Sequence, residues 1–298
     1  MANKEKAEVQ DINRSMYDFR YEEKDTDFYK IQEGLTKDIV LEISEKKGDP
    51  AWMRDFRLKS LEIYNQKQVP QWGPSIDGLD MNNIVTYVKP KTKMTADWEE
   101  VPEDIKNTFE KLGIPQAERE SLAGVGAQYD SELVYHNLQK EVEEQGVVYT
   151  DIESALHGPY ADMIRDHFMH LVPPTDHKFA ALHGAVWSGG SFVYIPKGVS
   201  VEIPLQSYFR LNAPGAGQFE HTLIIVDEGA QLHFIEGCSA PKYNIANLHA
   251  GCVELYVGKN AKLRYSTIEN WSKNMYNLNT KRAIVEEGGT MEWVSGSF

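Results

Sequence analysis

The side chains of this sequence with the most obvious chemistry are those of two cysteines and nine histidines. Cys238 lies in the segment Glu-Gly-Cys-Ser-Ala-Pro at 236–241, and Cys252 follows shortly afterwards. A thiolate is a nucleophile and a ligand for iron or zinc. A single cysteine in a strand is more often a small buried apolar residue, so each cysteine needs supporting neighbours before a role is assigned.

Most of the histidines do not form a recognisable metal-binding pattern. His167 and His170 are three residues apart on a predicted helix, but no glutamate completes an HExxH motif around them. Their position at the end of that helix is typical of side chains that cap backbone carbonyls. His183, His233 and His249 are scattered among predicted strands, and we interpret them as structural or solvated.

Composition argues against several classes of function. The formal charge of −14 and the pI near 5.1 argue against binding to nucleic acid or to an anionic membrane. The sequence has no apolar run long enough to span a bilayer, and its first residues lack the apolar stretch of a signal peptide. Two cysteines do not make a disulfide framework, so we expect reduced thiols and a cytoplasmic location. There is no Walker-type phosphate loop and no Gly-x-Ser-x-Gly nucleophile motif.

A repeat in the second half of the chain predicts the fold that positions these residues. Gly198, Gly229, Asn260 and Gly288 follow one another at intervals of 31, 31 and 28 residues. Apolar residues alternate with polar ones on both sides of each of these turns, in one register. The apolar positions are Val193, Ile195, Val201 and Ile203; Ile224, Val226, Leu232 and Phe234; Leu255, Val257, Leu263 and Tyr265; Ala283, Val285, Met291 and Trp293. This period is typical of strands, and the repeat predicts stacked coils, that is, a β-solenoid.

The pattern before the repeat is mainly helical, with a clear amphipathic segment at 51–66. We therefore predict an α+β fold with a mostly helical region at 1–145 and a β-solenoid core at 146–298. A helix is expected over 152–170, broken at Gly158 and Pro159, with strands from there onward. Because no closing cap follows the last predicted strand, we expect the solenoid to be incomplete at Phe298. An antiparallel sandwich is the alternative for short, evenly spaced strands.

The predicted register places one cysteine beside a histidine. Cys252 precedes its turn by as many residues as His221 precedes the turn before, which places the two about 5 Å apart on neighbouring coils. Both lie in the phase that points away from the solenoid interior, and they are weak candidate metal ligands. Cys238 lies in the inward phase if the strand reaches it, or at a corner if Gly237 bends the chain.

Five segments of the chain carry a resemblance to a known family. They are Trp-Met-Arg-Asp-Phe-Arg-Leu-Lys at 52–59, Pro-Gln-Trp-Gly-Pro at 70–74, Ser-Leu-Ala-Gly-Val-Gly-Ala-Gln-Tyr-Asp-Ser-Glu at 121–132, Val-Trp-Ser-Gly-Gly-Ser-Phe-Val-Tyr-Ile-Pro at 186–196, and the segment around Cys238. These segments resemble the SufB family, the scaffold subunits of the SUF iron–sulfur cluster assembly system. The resemblance covers essentially the whole chain.

The resemblance implies a scaffold protein, not an enzyme. The family has an N-terminal helical region, a right-handed parallel β-helix and a C-terminal helical segment, and its members continue well past Phe298. The implied partners are the ATPase SufC, SufD or a second SufB, and a cysteine desulfurase acting through SufE or SufU. The implied cofactor is a transient iron–sulfur cluster, whose family ligands lie beyond Phe298. FAD is a further cofactor that the sequence leaves open.

The resemblance also implies roles for particular residues. Cys238 matches the cysteine that accepts sulfur, and an adjacent cation would favour its thiolate form. The residues that match an internal sulfur route are Arg210, Asn212, Glu269, Trp271 and Lys281, although Glu269 stands where some members have glutamine. Two alternatives are a non-catalytic SufD-like partner subunit and a β-solenoid enzyme acting on polysaccharide. The enzyme would use outward charges such as Glu202 and Arg264.

Overall fold

The structure is a computed structural model that describes residues 28–111, 121–241 and 244–298. The remaining parts of the predicted N-terminal region, 1–27 and 112–120, lie outside the described residues. The described helices are α1 (Lys37–Lys47), α2 (Ala51–Gln66), α3 (Glu103–Lys111), α4 (Lys140–Glu143), α5 (Ile152–Ala155), α6 (Ala161–His167) and α7 (Lys178–Val186). Short 3-10 helices lie at Met81–Asn83 and Trp98–Glu100.

The first strands of the chain are β1 (Phe28–Lys30), β2 (Val88–Pro90), β3 (Gly124–Tyr129), β4 (Glu132–Leu138) and β5 (Val148–Asp151). The later strands are β6 (Ser191–Ile195), β7 (Leu205–Arg210), β8 (Gly217–Gln218), β9 (His221–Val226), β10 (Gln231–Ser239), β11 (Asn247–His249), β12 (Cys252–Val257), β13 (Lys262–Asn270), β14 (Met275–Asn277), β15 (Thr280–Val285) and β16 (Thr290–Ser297).

These later strands wind as stacked coils. Strands β6, β7 and β8 form one coil, β9 to β11 the next and β12 to β14 a third, and β15 and β16 begin another. Equivalent strands of these coils pair in parallel, and β4 and β5 are antiparallel edge strands. The result is a six-stranded sheet (β16-β13-β10-β7-β3-β4), a five-stranded sheet (β15-β12-β9-β6-β5) and a three-stranded sheet (β14-β11-β8). The α+β fold with a parallel β-solenoid is confirmed.

The strand register agrees with the sequence repeat. Leu232 pairs with Leu263, and Ile224 lies between Val193 and Leu255. These side chains are all buried in one core that fills the coils. A repeated alternation of this kind determines register strongly, because a slip of one residue would move every apolar side chain to the opposite face.

Ile203 is a position at which the predicted register is wrong. Phe234 pairs with Leu205 instead, and the Ile203 side chain is 44% exposed. A bridge between Ser200 and Gln231 precedes this pairing, so the earlier coil uses extra residues between the same two points. The chain loops outward at Ile203 before it returns to the sheet.

The turn residues of the repeat all have a left-handed backbone. The φ angles are 75° at Gly198, 68° at Gly229, 56° at Asn260 and 69° at Gly288. Glycine and asparagine tolerate this region best, which explains why the repeat places them there. The turns also stack, since the Gly229 amide donates to the carbonyl of Lys259 on the next coil at 2.9 Å.

A layer of helices covers the outer face of the five-stranded sheet. Helix α2 packs on α7, and residues of both layers share one apolar cluster that includes Met53, Trp187 and Cys252. Arg57 of α2 is fully buried, and its Nη1 donates to the carbonyl of Trp187 at 2.8 Å. This contact ties α2 to the end of α7.

Helix α7 corrects the expectation that strands follow directly after residue 170. Residues 180–186 are all buried, so this short helix is apolar on every side and shows no amphipathic period. The expected break in the preceding helical segment is confirmed, because α5 and α6 are separated around Gly158 and Pro159.

The two ends of the sheets differ. Strand β3, which lies within the predicted region 1–145, pairs in parallel with β7 as a member of the six-stranded sheet. At the other end, β15 and β16 are edge strands, and Ile284, Trp293 and Val294 are about half exposed there. None of the helices in the described ranges is both long and apolar enough to cross a membrane.

Candidate functional site

Cys238 lies on the interior face of the solenoid, near the end of β10. The strand continues through Gly237 to Ser239, and its residues alternate between the two faces of the sheet. Cys238 shares its face with Phe234 of the interior core and is 3% exposed. The inward phase predicted for this thiol is therefore observed, and Gly237 does not turn it to a corner.

Glu236 is the polar centre of this interior face. Its Oε2 accepts hydrogen bonds from the hydroxyl groups of Tyr265 at 2.5 Å and Thr222 at 3.2 Å. Its Oε1 lies 3.9 Å from Cys238 Sγ and 3.9 Å from Lys281 Nζ. Burial raises the pKa of Glu236, and Lys281 only partly offsets this effect. A carboxyl group with a raised pKa beside a thiol is a candidate acceptor for the thiol proton.

The two coils that follow contribute an ion pair to the site. Lys281 Nζ lies 3.2 Å from Glu269 Oε1, and Glu269 is the β13 residue in register with Cys238. Burial by itself lowers the pKa of Lys281, but Glu236 and Glu269 outweigh it, so the pKa is raised. The interior therefore holds a cation close to Cys238.

His249 and Glu220 complete the site from the side of the three-stranded sheet. His249 Nε2 lies 2.5 Å from Glu220 Oε1, and its Nδ1 lies 2.9 Å from Asn277 Oδ1. The Trp271 ring packs against the imidazole with centroids 4.6 Å apart. Burial opposes a charge on His249, but Glu220 raises its pKa, and both ring nitrogens donate to oxygens. The ligating atoms of Cys238, Glu220 and His249 lie within 4.8 Å of one another.

We use the name Cys238 cluster for this group of residues: Cys238, Glu220, Glu236, His249, Glu269 and Lys281. Burial raises the pKa of the Cys238 thiol well above its ordinary value, and Glu236 and Glu220 raise it further. Lys281 acts in the opposite direction but does not compensate. The cationic neighbour expected from the sequence is present, yet Cys238 is a neutral thiol in this chain.

Two of the predicted route residues lie apart from the Cys238 cluster. Arg210 is in register with Ser239, and its Nη1 donates to the Ser239 hydroxyl at 3.3 Å, so it lies on the strand face opposite to Cys238. The backbone amide of Asn212 donates to Asp130 Oδ1 at 2.6 Å. Burial raises the pKa of Asp130 to about 6, although these amide contacts and Arg210 act to lower it. The structure thus brings Cys238 together with Glu269, Trp271 and Lys281, and groups Arg210 and Asn212 around Asp130.

A second buried cluster lies on the outer face of the five-stranded sheet. Cys252 and His221 are in register on β12 and β9, as predicted, and helix α7 places His183 against them. The ligating atoms of these three side chains also lie within 4.8 Å of one another. We use the name Cys252 cluster for His183, His221 and Cys252. The outward phase of Cys252 does not expose it, because the helical layer covers this face.

His167, the last residue of helix α6, and His170, three residues beyond it, contact carbonyl groups of the same helix. His167 Nδ1 contacts the carbonyl of Met163 at 2.7 Å, and His170 Nδ1 contacts the carbonyl of Asp166 at 2.5 Å. The interpretation of both residues as carbonyl-capping side chains is confirmed.

Sequence reasoning missed three members of the Cys238 cluster. Glu236 is two residues before Cys238 and shares its phase, so the alternation of β10 could have identified it. Glu220 and His249 lie at bends of the coils, where the repeat has no regular pattern. His249 was interpreted as structural or solvated, but it is fully buried and pairs with Glu220.

The fold and the site define a class of protein: a parallel β-solenoid whose interior holds a buried thiol among acidic and basic side chains. Two family descriptions match the chain. "SufBD protein N-terminal region" covers residues 42–207, and "SUF system FeS cluster assembly, SufBD core domain" covers residues 209–298. The chain belongs to the SufBD family of iron–sulfur cluster assembly proteins.

Curated relatives support the same assignment. The chain is 53% identical over 282 residues to the "Iron-sulfur cluster assembly protein SufB" of Bacillus subtilis (strain 168). It is 51% identical over 282 residues to an "Iron-sulfur cluster assembly SufBD family protein" of Staphylococcus epidermidis (strain ATCC 35984) and to another of Staphylococcus aureus (strain MRSA252). Each match covers 95% of this chain and 60% of the relative, so the chain spans less than two thirds of their length.

Proposed function

We propose that this chain is a scaffold that accepts sulfur at Cys238 as a persulfide and passes it on for iron–sulfur cluster assembly. The observation that supports this proposal best is the position of Cys238. Its thiol lies inside the solenoid, next to a carboxyl group that could take its proton and near the ammonium group of Lys281. Residues with these roles are what sulfur transfer to a buried thiol requires.

The transfer is a thiol–persulfide exchange. The Cys238 thiolate attacks the outer sulfur of a donor persulfide, a new sulfur–sulfur bond forms, and the donor's sulfur–sulfur bond breaks. The donor leaves as a thiolate and takes up one proton, while the Cys238 proton passes to Glu236. The reactants are one thiol and one persulfide, and so are the products. The step therefore needs no separate oxidant or reductant.

Lys281 provides the charge that a persulfide anion at Cys238 would need. An unpaired charge in a buried site is costly, and a nearby cation offsets that cost. Lys281 Nζ reaches both Glu236 and Glu269, so it lies within the same interior group as the thiol. Protonation of Glu236 during the transfer would free this cation to interact with the new anion.

The two cysteines of the chain cannot bind one cluster together. Cys238 lies on the interior face of the solenoid, whereas Cys252 packs in the apolar cluster beneath the helical layer. Iron–sulfur clusters are usually held by several thiolates. We therefore infer that iron and sulfide are cargo, and that further cluster ligands come from other parts of the assembly.

The proposed partners follow from family membership. A cysteine desulfurase acting through SufE or SufU supplies the sulfur, SufC hydrolyses ATP, and SufD or a second copy of SufB pairs with the chain. This chain itself is proposed to act as a scaffold and not as the ATPase. Both cysteines are free thiols, which fits a reducing cytoplasmic location.

The proposal is tested by sulfur uptake from a cysteine desulfurase with SufE or SufU and cysteine as substrate. Alkylated peptides are analysed by mass spectrometry, so that persulfide is located at each cysteine. We expect uptake at Cys238, none in Cys238→Ser, and unchanged uptake in the matched control Cys252→Ser. Uptake that persists in Cys238→Ser contradicts the proposal. A wild-type chain that binds SufC or SufD but takes up no sulfur supports the SufD-like alternative instead.

A further inference from the structure

We propose that the Cys252 cluster is a binding site for one divalent transition-metal ion, with Zn²⁺ as the best match. The site is separate from the Cys238 cluster and lies between the five-stranded sheet and helix α7. Two imidazoles and one thiolate suit zinc and its neighbours in the first transition series. The hydrogen bonds of the two histidines orient one ring nitrogen of each towards the other.

The hydrogen bonds of His183 leave one of its nitrogens available to a metal. Its Nδ1 lies 2.9 Å from the carbonyl oxygen of Ala250, which can only accept, so Nδ1 carries a proton. In a neutral imidazole, a proton on Nδ1 leaves none on Nε2. Its Nε2 therefore has a lone pair, and this nitrogen lies 3.0 Å from Nδ1 of His221.

His221 is oriented by a carboxylate on its other side. Its Nε2 lies 3.1 Å from Oε2 of the fully buried Glu254. The backbone amides of Met169, Leu171 and Val172 donate to the same carboxylate at 2.5, 2.7 and 2.8 Å. Oε2 of Glu254 thus acts as a hydrogen-bond acceptor at this point. His221 Nε2 therefore carries a proton, and Nδ1 faces the lone pair of His183.

The gap between Nε2 of His183 and Nδ1 of His221 is the position that a metal ion would take. In metal sites, a ligating histidine usually donates its other nitrogen to a carboxylate or a backbone carbonyl. Both arrangements are already present here, at Glu254 for His221 and at Ala250 for His183. A tetrahedral zinc ion with bonds of about 2.0–2.1 Å to nitrogen would separate the two nitrogens by about 3.3–3.4 Å. The present separation of 3.0 Å needs only a small widening.

Cys252 supplies the third ligand and balances the charge. Its sulfur lies within 4.8 Å of a ring nitrogen of each of the two histidines, and Cys252 is in register with His221. Coordination displaces the thiol proton, because the thiolate is the form that binds a metal. A divalent ion, the Cys252 thiolate and the Glu254 carboxylate then sum to zero charge. This balance is favourable in a site where all four side chains are buried.

The surroundings of the site are buried and largely apolar. Phe168 packs on the His221 ring with centroids 4.1 Å apart, and Trp187 follows helix α7 at its end. Arg57 anchors that end of the helix through the carbonyl of Trp187. A metal ion here would join helix α7 to strands β9 and β12. We therefore assign it a structural role, holding the helical layer on the solenoid.

The Cys238 cluster offers a useful contrast, because its cysteine, histidine and glutamate are equally close together. Both nitrogens of His249 already contact oxygen atoms, Nε2 that of Glu220 and Nδ1 that of Asn277. A metal would have to displace one of these established contacts. We therefore assign metal binding to the Cys252 cluster alone.

The test refolds the full chain anaerobically with Co²⁺ or Zn²⁺ and removes the excess ion. We expect one ion per chain, and with Co²⁺ a thiolate-to-metal charge-transfer absorption that Zn²⁺ abolishes by competition. Cys238→Ser is the matched control and should keep both signals. Cys252→Ser should lose the charge-transfer band, and Glu254→Gln should weaken binding by about 10–100-fold because it removes the carboxylate behind His221.

Two results would overturn the proposal. One is a refolded wild-type chain that retains no ion, and the other is a Cys252→Ser spectrum identical to that of the wild type. Since a variant that fails to fold would also lose metal, circular dichroism is recorded for each variant. Independently, the Tm of the wild-type chain should rise on metal loading, and an unchanged Tm counts against the site. Sulfur uptake and metal content are measured at different cysteines, so the two proposals can fail separately.

Discussion

The Cys238 and Cys252 clusters each place a buried cysteine beside a histidine, on opposite faces of the solenoid wall. In the inner cluster, His249 donates from both nitrogens and a cation, Lys281, lies nearby. In the outer cluster, His183 keeps a lone pair because a carbonyl takes its single proton. The comparison shows that hydrogen-bond partners, more than residue type, decide which chemistry a buried cysteine–histidine pair can support.

The two clusters also differ in their contact with solvent. The side chains of Lys281 and Glu269 are 19% and 12% exposed, whereas those of His221 and Glu254 are completely buried. The inner cluster can therefore exchange a small group or a proton with its surroundings. The outer cluster is sealed beneath the helices, which suits an ion that is bound during folding and then retained.

The largest expected difference between the clusters concerns stability. In Glu254→Ala, three backbone amides and His221 lose their common acceptor in a fully buried site. We expect the free energy of unfolding to fall by about 3–5 kcal/mol, since several buried donors are left without an acceptor, at about 1–3 kcal/mol each. Urea denaturation of the metal-free chain measures this change.

Glu269→Ala is the matched change in the inner cluster. Glu269 is partly exposed, and Lys281 would keep its contact with Glu236. We expect a loss of about 1 kcal/mol or less. Equal losses in the two variants would show that the difference in burial has no energetic consequence.

A smaller effect is expected on the reactivity of Cys238. Lys281→Met removes the cation that lowers the pKa of this thiol, so the pKa should rise further and the thiolate fraction should fall. Each unit of pKa lowers the alkylation rate at fixed pH by about tenfold, and we expect a decrease of that order. Peptide mass spectrometry over a time course measures the rate, with the exposed Lys273→Met as control. Faster alkylation of Cys238 in Lys281→Met would contradict this account of the inner cluster.

The smallest expected effect is on the pH dependence of stability. The pKa of His249 is raised above 6.5 in the folded chain, so the folded state binds this proton more tightly than the unfolded state. The stabilisation is complete below pH 6.5 and is lost as the pH rises through the raised pKa. We expect the difference in unfolding free energy between wild type and His249→Gln to shrink by about 1 kcal/mol per unit of pKa shift.

Urea denaturation between about pH 5 and pH 9 tests this prediction, because that range brackets the ordinary histidine pKa. Tyr265→Phe is a suitable control. Tyr265 contacts Glu236 of the Cys238 cluster, and its hydroxyl group stays protonated over this range because its pKa is raised. A difference between wild type and His249→Gln that is independent of pH would mean that His249 carries no additional proton in the fold.

Much of the solenoid could be predicted because the same alternation recurs in successive coils. Residues such as Leu232 and Leu263 pair as expected, and so do Cys252 and His221. Where the repeat is interrupted, prediction fails, as at Ile203, because extra residues loop out without changing the local pattern. The division into regions at residue 145 stays a prediction, and β3 joins a solenoid sheet on its N-terminal side.

The sequence by itself determined most of the coil register and the pairing of Cys252 with His221, and it left the inward direction of Cys238 as one of two alternatives. Only the tertiary structure decided how protons are placed in the two clusters. His183 meets His221 across 38 residues, and Glu254 meets the amide of Met169 across 85. Local periodicity carries no information about such distant partners. These partners come together only when helix α7 packs on the sheet, and only then are the ring orientations of His183 and His221 defined.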